Sequence, residues 1–415
     1  MTAPTRQSLR VLLVSHYYPP HVGGIENVVR NEAIHLTRLG TEVTVLTSGS
    51  RTEARDIRRP RDDVDAAGVR VVRIPAWNGV ETRASVPFPI LSPRLLPAVL
   101  RWARWADVVH AHDCLYMTSW AAGLAAVLTH TPLVLTQHVA LVEHPSALVR
   151  WTQRVVYAAA GQPLLRRAVR VLVVNASVAA FTLAHGARPQ NVHHLANGVD
   201  TAAFHPARSS QERRCARERF SLPQNRVLVL FVGRLVPKKG CDLLLAAADP
   251  AYDLVFVGEG KEGLLVGQRP GVHRLGALPP DAVAEVYRAC DVFALPSTTE
   301  GFPLTVQEAM ASGLPIVTTD APGYAPYKLD RAHVTLLPRD VGMLREALAS
   351  LAGDAKRRER MGRYSRRHAV TSFAWGEHVQ TLLRFYSDVL RTAAGDQGDG
   401  SQPVECPGAG PVRRP

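Results

Sequence analysis

Two carboxylates fall close together in the segment Ala294–Val317: Glu300 in a Gly-containing loop after an apolar run, and Glu308 further along. Pro303 signals a helix start, and Gly313 with Pro315 its end, so Glu308 is expected one to two turns inside a helix. A carboxylate held on a buried helix needs donors, and sugar hydroxyls are suitable ones. A second concentration of chemistry is the loop Val232–Gly240, where Arg234, Lys238 and Lys239 crowd the space between a strand end and a helix start. Like charges repel unless an anion or solvent screens them; a diphosphate would do so, and a solvated basic loop is the plainer reading. A third is Pro19–Glu26, whose adjacent Gly23 and Gly24 let backbone N–H groups approach an anion at a helix N-terminus. The alternative there is an ordinary turn that needs positive φ.

Two further patterns match motifs without their chemistry. Gly258–Gly263 fits GxGxxG after a strand, but its two glutamates would repel a pyrophosphate and Arg269-Pro270-Gly271 would stop the following helix early. Asp63-Val64-Asp65 matches a metal-holding DxD, yet it lies in a polar stretch, Arg51–Asp65, without strand periodicity, and reads as a solvated loop. No Cys/His cluster has metal-ligand spacing, and no metal is expected.

The elements that must position these residues are short apolar runs alternating with longer helical patterns. Arg10–Ser15, Val43–Thr47, Val69–Ile74, Asp107–His110, Leu133–Thr136 and Val171–Asn175 read as buried strands. The plan pauses at Asn197–Asp200 and a polar stretch, Arg208–Arg219, then resumes with Val227–Val232, Asp253–Val257, Val272–Leu275, Val292–Leu295 and Ile316–Thr318. Strands alternating with helices mean parallel α/β sheets. The expected division is a first doubly wound domain over 1–203, a second over 204–374, a long helix over 375–392 and a disordered tail over 393–415. Ligands in such domains collect at the carboxyl ends of the strands.

Composition agrees with large packed cores: 415 residues, 46% hydrophobic and 20% charged, which excludes a mostly disordered chain. Five scattered cysteines, never in CxxC spacing, exclude a disulfide scaffold and suggest a reduced, cytoplasmic setting. No apolar run reaches the length of a membrane span or of a signal-peptide core. Net charge is +13, and only five of the 49 Lys and Arg residues are Lys. That balance favours phosphate-rich partners.

Taken in order, Gly23-Gly24-Ile25-Glu26, His110-Ala-His112-Asp113, Thr136-Gln-His138, Asn197-Gly-Val-Asp200, Gly233-Arg234 with Lys239-Gly240, Val257-Gly-Glu-Gly260 and the Glu300/Glu308 pair resemble glycosyltransferase family 4. The match covers nearly all of residues 10–390. The resemblance implies a GT-B fold, two Rossmann-like domains facing across a cleft, and retaining transfer from a UDP- or GDP-sugar without a metal. It implies that Arg234 and Lys239 bind the donor diphosphate together with the amide of Leu304, and that Gly23 and Gly24 close over the β-phosphate. Glu308 would take the ribose hydroxyls, Glu300 the donor sugar, and His138 a place beside the reacting sugar. His110, His112 and Asp113 stand either as acceptor contacts or as strand-end polar residues. The sequence departs from the family after Ile316–Thr318, where Thr319–Tyr327 stands in place of a Gly-Gly and carboxylate pattern, so the donor sugar is unread.

The acceptor class is a glycan or a lipid-linked sugar, with Pro75–Pro93 the suspected acceptor segment. In Ser146–Val156, Leu148, Trp151 and Val155 share one helical face and Arg150 and Arg154 another, with Arg166, Arg167 and Arg170 following. This reads either as a surface for anionic lipid at the inner face of a membrane or as a domain helix with its apolar side in the core. No basic-aromatic nucleic-acid module is visible, so no nucleic-acid partner is expected. The competing functions are an inactive nucleotide-sugar-binding protein and a sugar epimerase or phosphorylase on the same fold.

Overall fold

The computed structural model describes residues 8–21, 23–49, 61–65, 67–77, 90–140, 147–260, 269–298, 302–393 and 395. The chain divides into two compact units: Met1–Val173, Val178–Leu195 and Thr381–Pro415 form the first, Val174–Ser177 and Ala196–Gln380 the second. The main division thus falls at Leu195/Ala196, ahead of the Asn197–Asp200 turn.

In the first unit, β1 (Arg10–Val14), β2 (Glu42–Ser48), β3 (Arg61–Val64), β4 (Arg70–Ile74), β7 (Val108–His112), β8 (Leu133–Gln137), β9 (Arg170–Val173) and β10 (Val192–His194) form one sheet. Its order is β10-β9-β8-β7-β1-β2-β4-β3. All its pairings are parallel except β3 with β4. A short antiparallel pair, β5 (Ala76–Trp77) and β6 (Ile90–Leu91), stands apart. The helices are α1 (Gly24–Arg38), α2 (Leu95–Trp105), α3 (Met117–Thr129), α4 (Ala147–Val156), which continues through a π turn at Tyr157–Gly161 into α5 (Gln162–Arg167), and α6 (Ala176–Ala184). β7 and β8 are buried along their whole length and β1 over all but its first residue, as helices on both faces require.

The second unit begins with α7 (Ser210–Arg219), then β11 (Leu228–Val232), α8 (Cys241–Ala246), β12 (Asp253–Val257), β13 (Val272–Gly276), α9 (Pro280–Ala289), β14 (Val292–Leu295), α10 (Leu304–Ala311), β15 (Ile316–Thr319), β16 (Val334–Leu337), α11 (Val341–Gly353) and α12 (Ala355–Ser372). Its wholly parallel sheet runs β13-β12-β11-β14-β15-β16, the doubly wound order with its reversal between β11 and β14. In the first unit the reversal lies between β1 and β7. The last helix, α13 (Trp375–Ala393), starts in the second unit and ends in the first.

The differences from the sequence expectations lie at sheet edges and in polar stretches. The stretch expected to be loop contains β3, an antiparallel edge strand whose Val64 is 68% exposed, so no buried alternation marks it. β10 and β16 are also edge strands and are only partly buried. The polar stretch Arg208–Arg219 is mostly helix α7, started where the Ser209 hydroxyl accepts from the Glu212 amide at 3.1 Å. Expectations for the tail, apart from Ala393 and Gly395, lie outside the described residues.

Candidate functional site

At the reversal of the second sheet, the loops after β11 and β14 meet. Gly240 has φ 77°, and a Cβ there would come 2.1 Å from the Pro296 carbonyl, so only glycine lets the two loops close. The Thr298 amide donates to the Lys238 carbonyl at 2.9 Å, and Arg339 ties the same loops by donating to the carbonyls of Pro296 (3.1 Å) and Pro237 (3.4 Å). The GxGxxG glycines have a related duty. Cβ atoms at Gly258 and Gly260 would sit 2.1 Å from the carbonyls of Gly233 and Leu235, and Leu235 donates to the Glu259 carbonyl at 2.8 Å. Gly258 and Gly260 therefore hold the cationic loop in place. Within that loop Arg234 and Lys238 are exposed and Lys239 half-buried. Among the described residues Arg234 forms no ion pair.

The second loop leads into α10. Phe302 is buried against Tyr327 (3.9 Å between rings), Tyr324 and Phe373, which fixes the chain just before Pro303 caps the helix. Here Thr319–Tyr327, the departure from the family pattern, serves as the wall that holds Phe302. The first amides of α10, including that of Leu304, lie at the positive end of the helix dipole. Glu308 lies inside α10, where the Tyr287 hydroxyl of α9 donates to it at 3.0 Å. Burial pushes the Glu308 carboxyl up to about 7, against the pull of that hydroxyl. Glu300 lies outside the described residues, as does Gly301.

The first unit is arranged differently. Gly24 opens α1, and Gly23 caps it with φ −165°, an extended conformation, so neither glycine is there for a left-handed turn. A Cβ on Gly24 would meet no protein atom within 4 Å. Nearby, His21 contacts the Glu26 carboxylate at 2.6 Å and stacks on Tyr17.

At the end of β7, His110, His112 and Asp113 have no exposed surface. The acceptor contacts considered for them need surface atoms that these side chains lack. His110 is held at both nitrogens, Nδ1 being 2.7 Å from the Tyr386 hydroxyl and Nε2 2.7 Å from Thr136 Oγ1. Asp113 sits at φ 60° and accepts from the amides of His138 (3.1 Å) and Val139 (3.4 Å), fixing the turn after β8. Burial pushes its carboxyl up to about 7, although both amides act in the other direction. His112 Nδ1 is 3.0 Å from His138 Nε2, and its Nε2 is 3.4 Å from Glu32 Oε2. His138 itself is half-buried.

Glu32, Tyr386 and Tyr287 were not singled out from the sequence. The signal for Glu32 was available: a carboxylate within the apolar stripe of Val28, Val29, Ala33 and Leu36. The two tyrosines act across long sequence separations and leave no local trace.

The DxD carboxylates are engaged in turn and strand. Asp65 accepts from the amides of Ala67 (2.9 Å) and Val69 (3.0 Å) and from the Tyr18 hydroxyl (3.0 Å). On α4, Trp151 is 62% and Val155 45% exposed, while Gln153 and Tyr157 point inward, so the helix does not bury its expected apolar side. The side chain of Leu148 and residues 78–89 of the suspected acceptor segment lie outside the description. Arg150, Arg154, Arg166 and Arg167 are exposed. Among the described residues, no helix is long and apolar enough to cross a membrane.

Comparison with known proteins places this geometry in a family. Residues 22–203 match the model described as Glycosyltransferase Family 4, and residues 212–368 that of Glycosyl transferases group 1. A GDP-mannose-dependent alpha-mannosyltransferase of Mycolicibacterium smegmatis is 32% identical, the match covering 92% of this chain and 98% of that protein. A D-inositol 3-phosphate glycosyltransferase of Gordonia bronchialis is 30% identical, over 95% and 92% respectively. In fold, the chain is similar to HepE of Anabaena, solved with UDP: TM-score 0.72, 19% identity, 92% of this chain and 100% of that one. A sucrose-phosphate synthase of Thermosynechococcus elongatus gives a TM-score of 0.70 at 20% identity, with the same coverage. With two doubly wound units, the switch-point loops in the second and full-length similarity to these enzymes, the chain belongs to glycosyltransferase family 4 and has the GT-B fold.

Proposed function

We propose that this glycosyltransferase is a retaining, metal-independent enzyme that moves a sugar from a UDP- or GDP-sugar to a hydroxyl of a glycan or lipid-linked acceptor. The observation that carries this reading is the closure of the Arg234–Lys239 loop onto the loop that leads into α10 and Glu308, at the switch point of the second sheet. Arg234, Lys239 and the Leu304 amide take the donor diphosphate, and Glu308 accepts from the ribose hydroxyls. Glu300 contacts the donor sugar. The backbone at Gly23 and Gly24 approaches the β-phosphate, which the open space at Gly24 supports. His138 stands beside the reacting sugar.

Transfer breaks the bond between the anomeric carbon and the phosphate oxygen, whose electron pair leaves with the diphosphate. The acceptor hydroxyl forms the new bond on the same face and passes its proton to a phosphate oxygen. Two cations and fixed amides stabilise the charge that develops on the leaving group, so no metal is needed. The bound UDP of the HepE structure and the GDP-mannose dependence of the mycobacterial relative support the donor class.

The exposed Trp151 and Val155 beside Arg150, Arg154, Arg166 and Arg167 form a surface suited to anionic lipid, which would bring a lipid-linked acceptor to the enzyme. Co-sedimentation with anionic but not zwitterionic vesicles, lost on Trp151→Ala with Arg150→Glu, checks that part. The transfer itself is tested by nucleoside diphosphate release from UDP- and GDP-sugars, with chelator present, as acceptors are added. Release that requires acceptor and yields a product with the donor's anomeric configuration is expected. An inverted product or strict dependence on added metal would refute the respective feature.

A further inference from the structure

We propose that Tyr287 is a positioning residue for donor recognition: its hydroxyl fixes Oε2 of Glu308 and so leaves Oε1 to accept from the ribose hydroxyls. This rests on the reading of Glu308 as the ribose contact. Tyr287, on α9, is fully enclosed, its ring meeting Phe204 edge-on at 5.6 Å and Phe293 at 5.9 Å between centroids. Its hydroxyl donates to Glu308 Oε2 at 3.0 Å and also lies 3.1 Å from the Thr305 carbonyl, so both acceptors belong to α10. Glu308 is half-buried, and among the described residues that hydroxyl is the one hydrogen-bond partner of its carboxylate.

The ring is held by packing that phenylalanine would satisfy equally, so the hydroxyl needs a reason of its own. In a closed interior a hydroxyl costs solvation unless a hydrogen bond offsets it. The Thr305 carbonyl is not that reason, since the helix pattern already offers it the Ala309 amide four residues on. That leaves Glu308 Oε2 as the group the hydroxyl serves. Burial raises the Glu308 carboxyl to about 7, so both of its forms matter near neutrality. When ionised, Oε2 accepts from the phenol. When protonated, the carboxyl can hold its hydrogen on Oε2, donating to the phenol oxygen, while the phenol turns to the Thr305 carbonyl. In either arrangement Oε1 bears no hydrogen, and its two lone pairs suit the two ribose hydroxyls. A carboxyl freed from Tyr287 could rotate or protonate at either oxygen, and a hydrogen on Oε1 would face the ribose as donor against donor.

Calorimetry on the full chain compares the nucleoside diphosphate that binds, UDP or GDP, with its 2′,3′-dideoxy form. The wild type is expected to prefer the ribose form about a hundredfold and Tyr287→Phe about tenfold, the difference arising from weaker binding of the ribose form alone. Adding Tyr287→Phe to Glu308→Ala should change neither affinity, because no carboxylate is left to position. In turnover, Tyr287→Phe should raise donor KM about tenfold with kcat within about twofold. An undiminished preference in folded Tyr287→Phe would overturn the inference, as would an equal loss of affinity in both backgrounds, the mark of a structural role. A crystal structure of the wild type with that nucleoside diphosphate bound decides the matter even if Tyr287→Phe does not fold. Ribose on Oε1 with Oε2 still on Tyr287 is expected; ribose on Oε2, or a carboxylate turned away from Tyr287, would overturn the inference. Equal binding of both forms by the wild type, or binding of neither, would instead refute the reading of Glu308, and the inference with it.

Discussion

The two units place their polar chemistry in opposite ways. In the first, His110, His112, Asp113 and Glu32 are sealed inside: His110 is held by Tyr386 and Thr136, His112 meets half-buried His138, and Asp113 accepts from backbone amides, while the backbone at Gly24 is exposed. In the second, Arg234 and Lys238 are exposed and Lys239 half-buried, and the loop that carries them is shaped by close backbone approach at Gly240, Gly258 and Gly260, while buried aromatics fix the loop before α10. A sealed network holds one geometry without a ligand, whereas exposed like charges are screened by solvent or by an anion and favour binding the latter. The first unit's polar groups are fixed by the protein itself, whereas two of the second unit's three loop cations stand exposed.

This contrast is most sharply broken at the glycines. Gly260→Ala puts a methyl group 2.1 Å from the Leu235 carbonyl and should cost about 3 kcal/mol in chemical unfolding, taking nucleotide affinity with it. Gly24→Ala adds a methyl group to open space at a helix start and should leave stability within about 1 kcal/mol of wild type while turnover falls. Equal destabilisation by both would erase the distinction.

A smaller effect is expected from the exposed cations. Arg234→Ala should weaken nucleoside diphosphate binding about tenfold, with a shallower salt dependence and an unchanged melting temperature. A drop in melting temperature would mean that Arg234 is structural.

The smallest effect concerns pH. Because burial raises the Glu308 carboxyl to about 7, the folded protein keeps a proton that the unfolded chain releases at lower pH. Stability of the nucleotide-free protein should therefore fall as pH rises from the ordinary glutamate range through about 7, and Glu308→Gln should flatten part of that slope. Asp113, raised in the same way, accounts for a remaining part. An identical slope in wild type and variant would contradict this.

The sequence showed what local pattern can show. Strands buried on both faces are continuous apolar runs, so β1, β8, β11, β12 and β14 were legible almost to the residue. The Pro303 start and Gly313 stop placed Glu308 correctly on its helix. Edge strands β3, β10 and β16 were not legible, whereas the edge strand β13, no more buried, was read, so short strands at sheet edges carry an unreliable signal. Nor were the partners that make the polar residues work. Tyr386 reaches His110 across 276 residues, and no local period records such a pairing. The motif glycines at 258 and 260 were visible, but their task of supporting a neighbouring loop emerged only from the carbonyls opposite them.

The decisive experiment is calorimetric binding of UDP, GDP, ADP and NAD to the wild type and to Glu308→Ala. Binding of UDP or GDP that weakens about a hundredfold in the variant, with folding intact, is the predicted result, since two charge-assisted hydrogen bonds are removed. Silence towards every nucleoside diphosphate, or binding of NAD alone that the substitution leaves untouched, would contradict the assignment of a sugar-nucleotide site to the second unit.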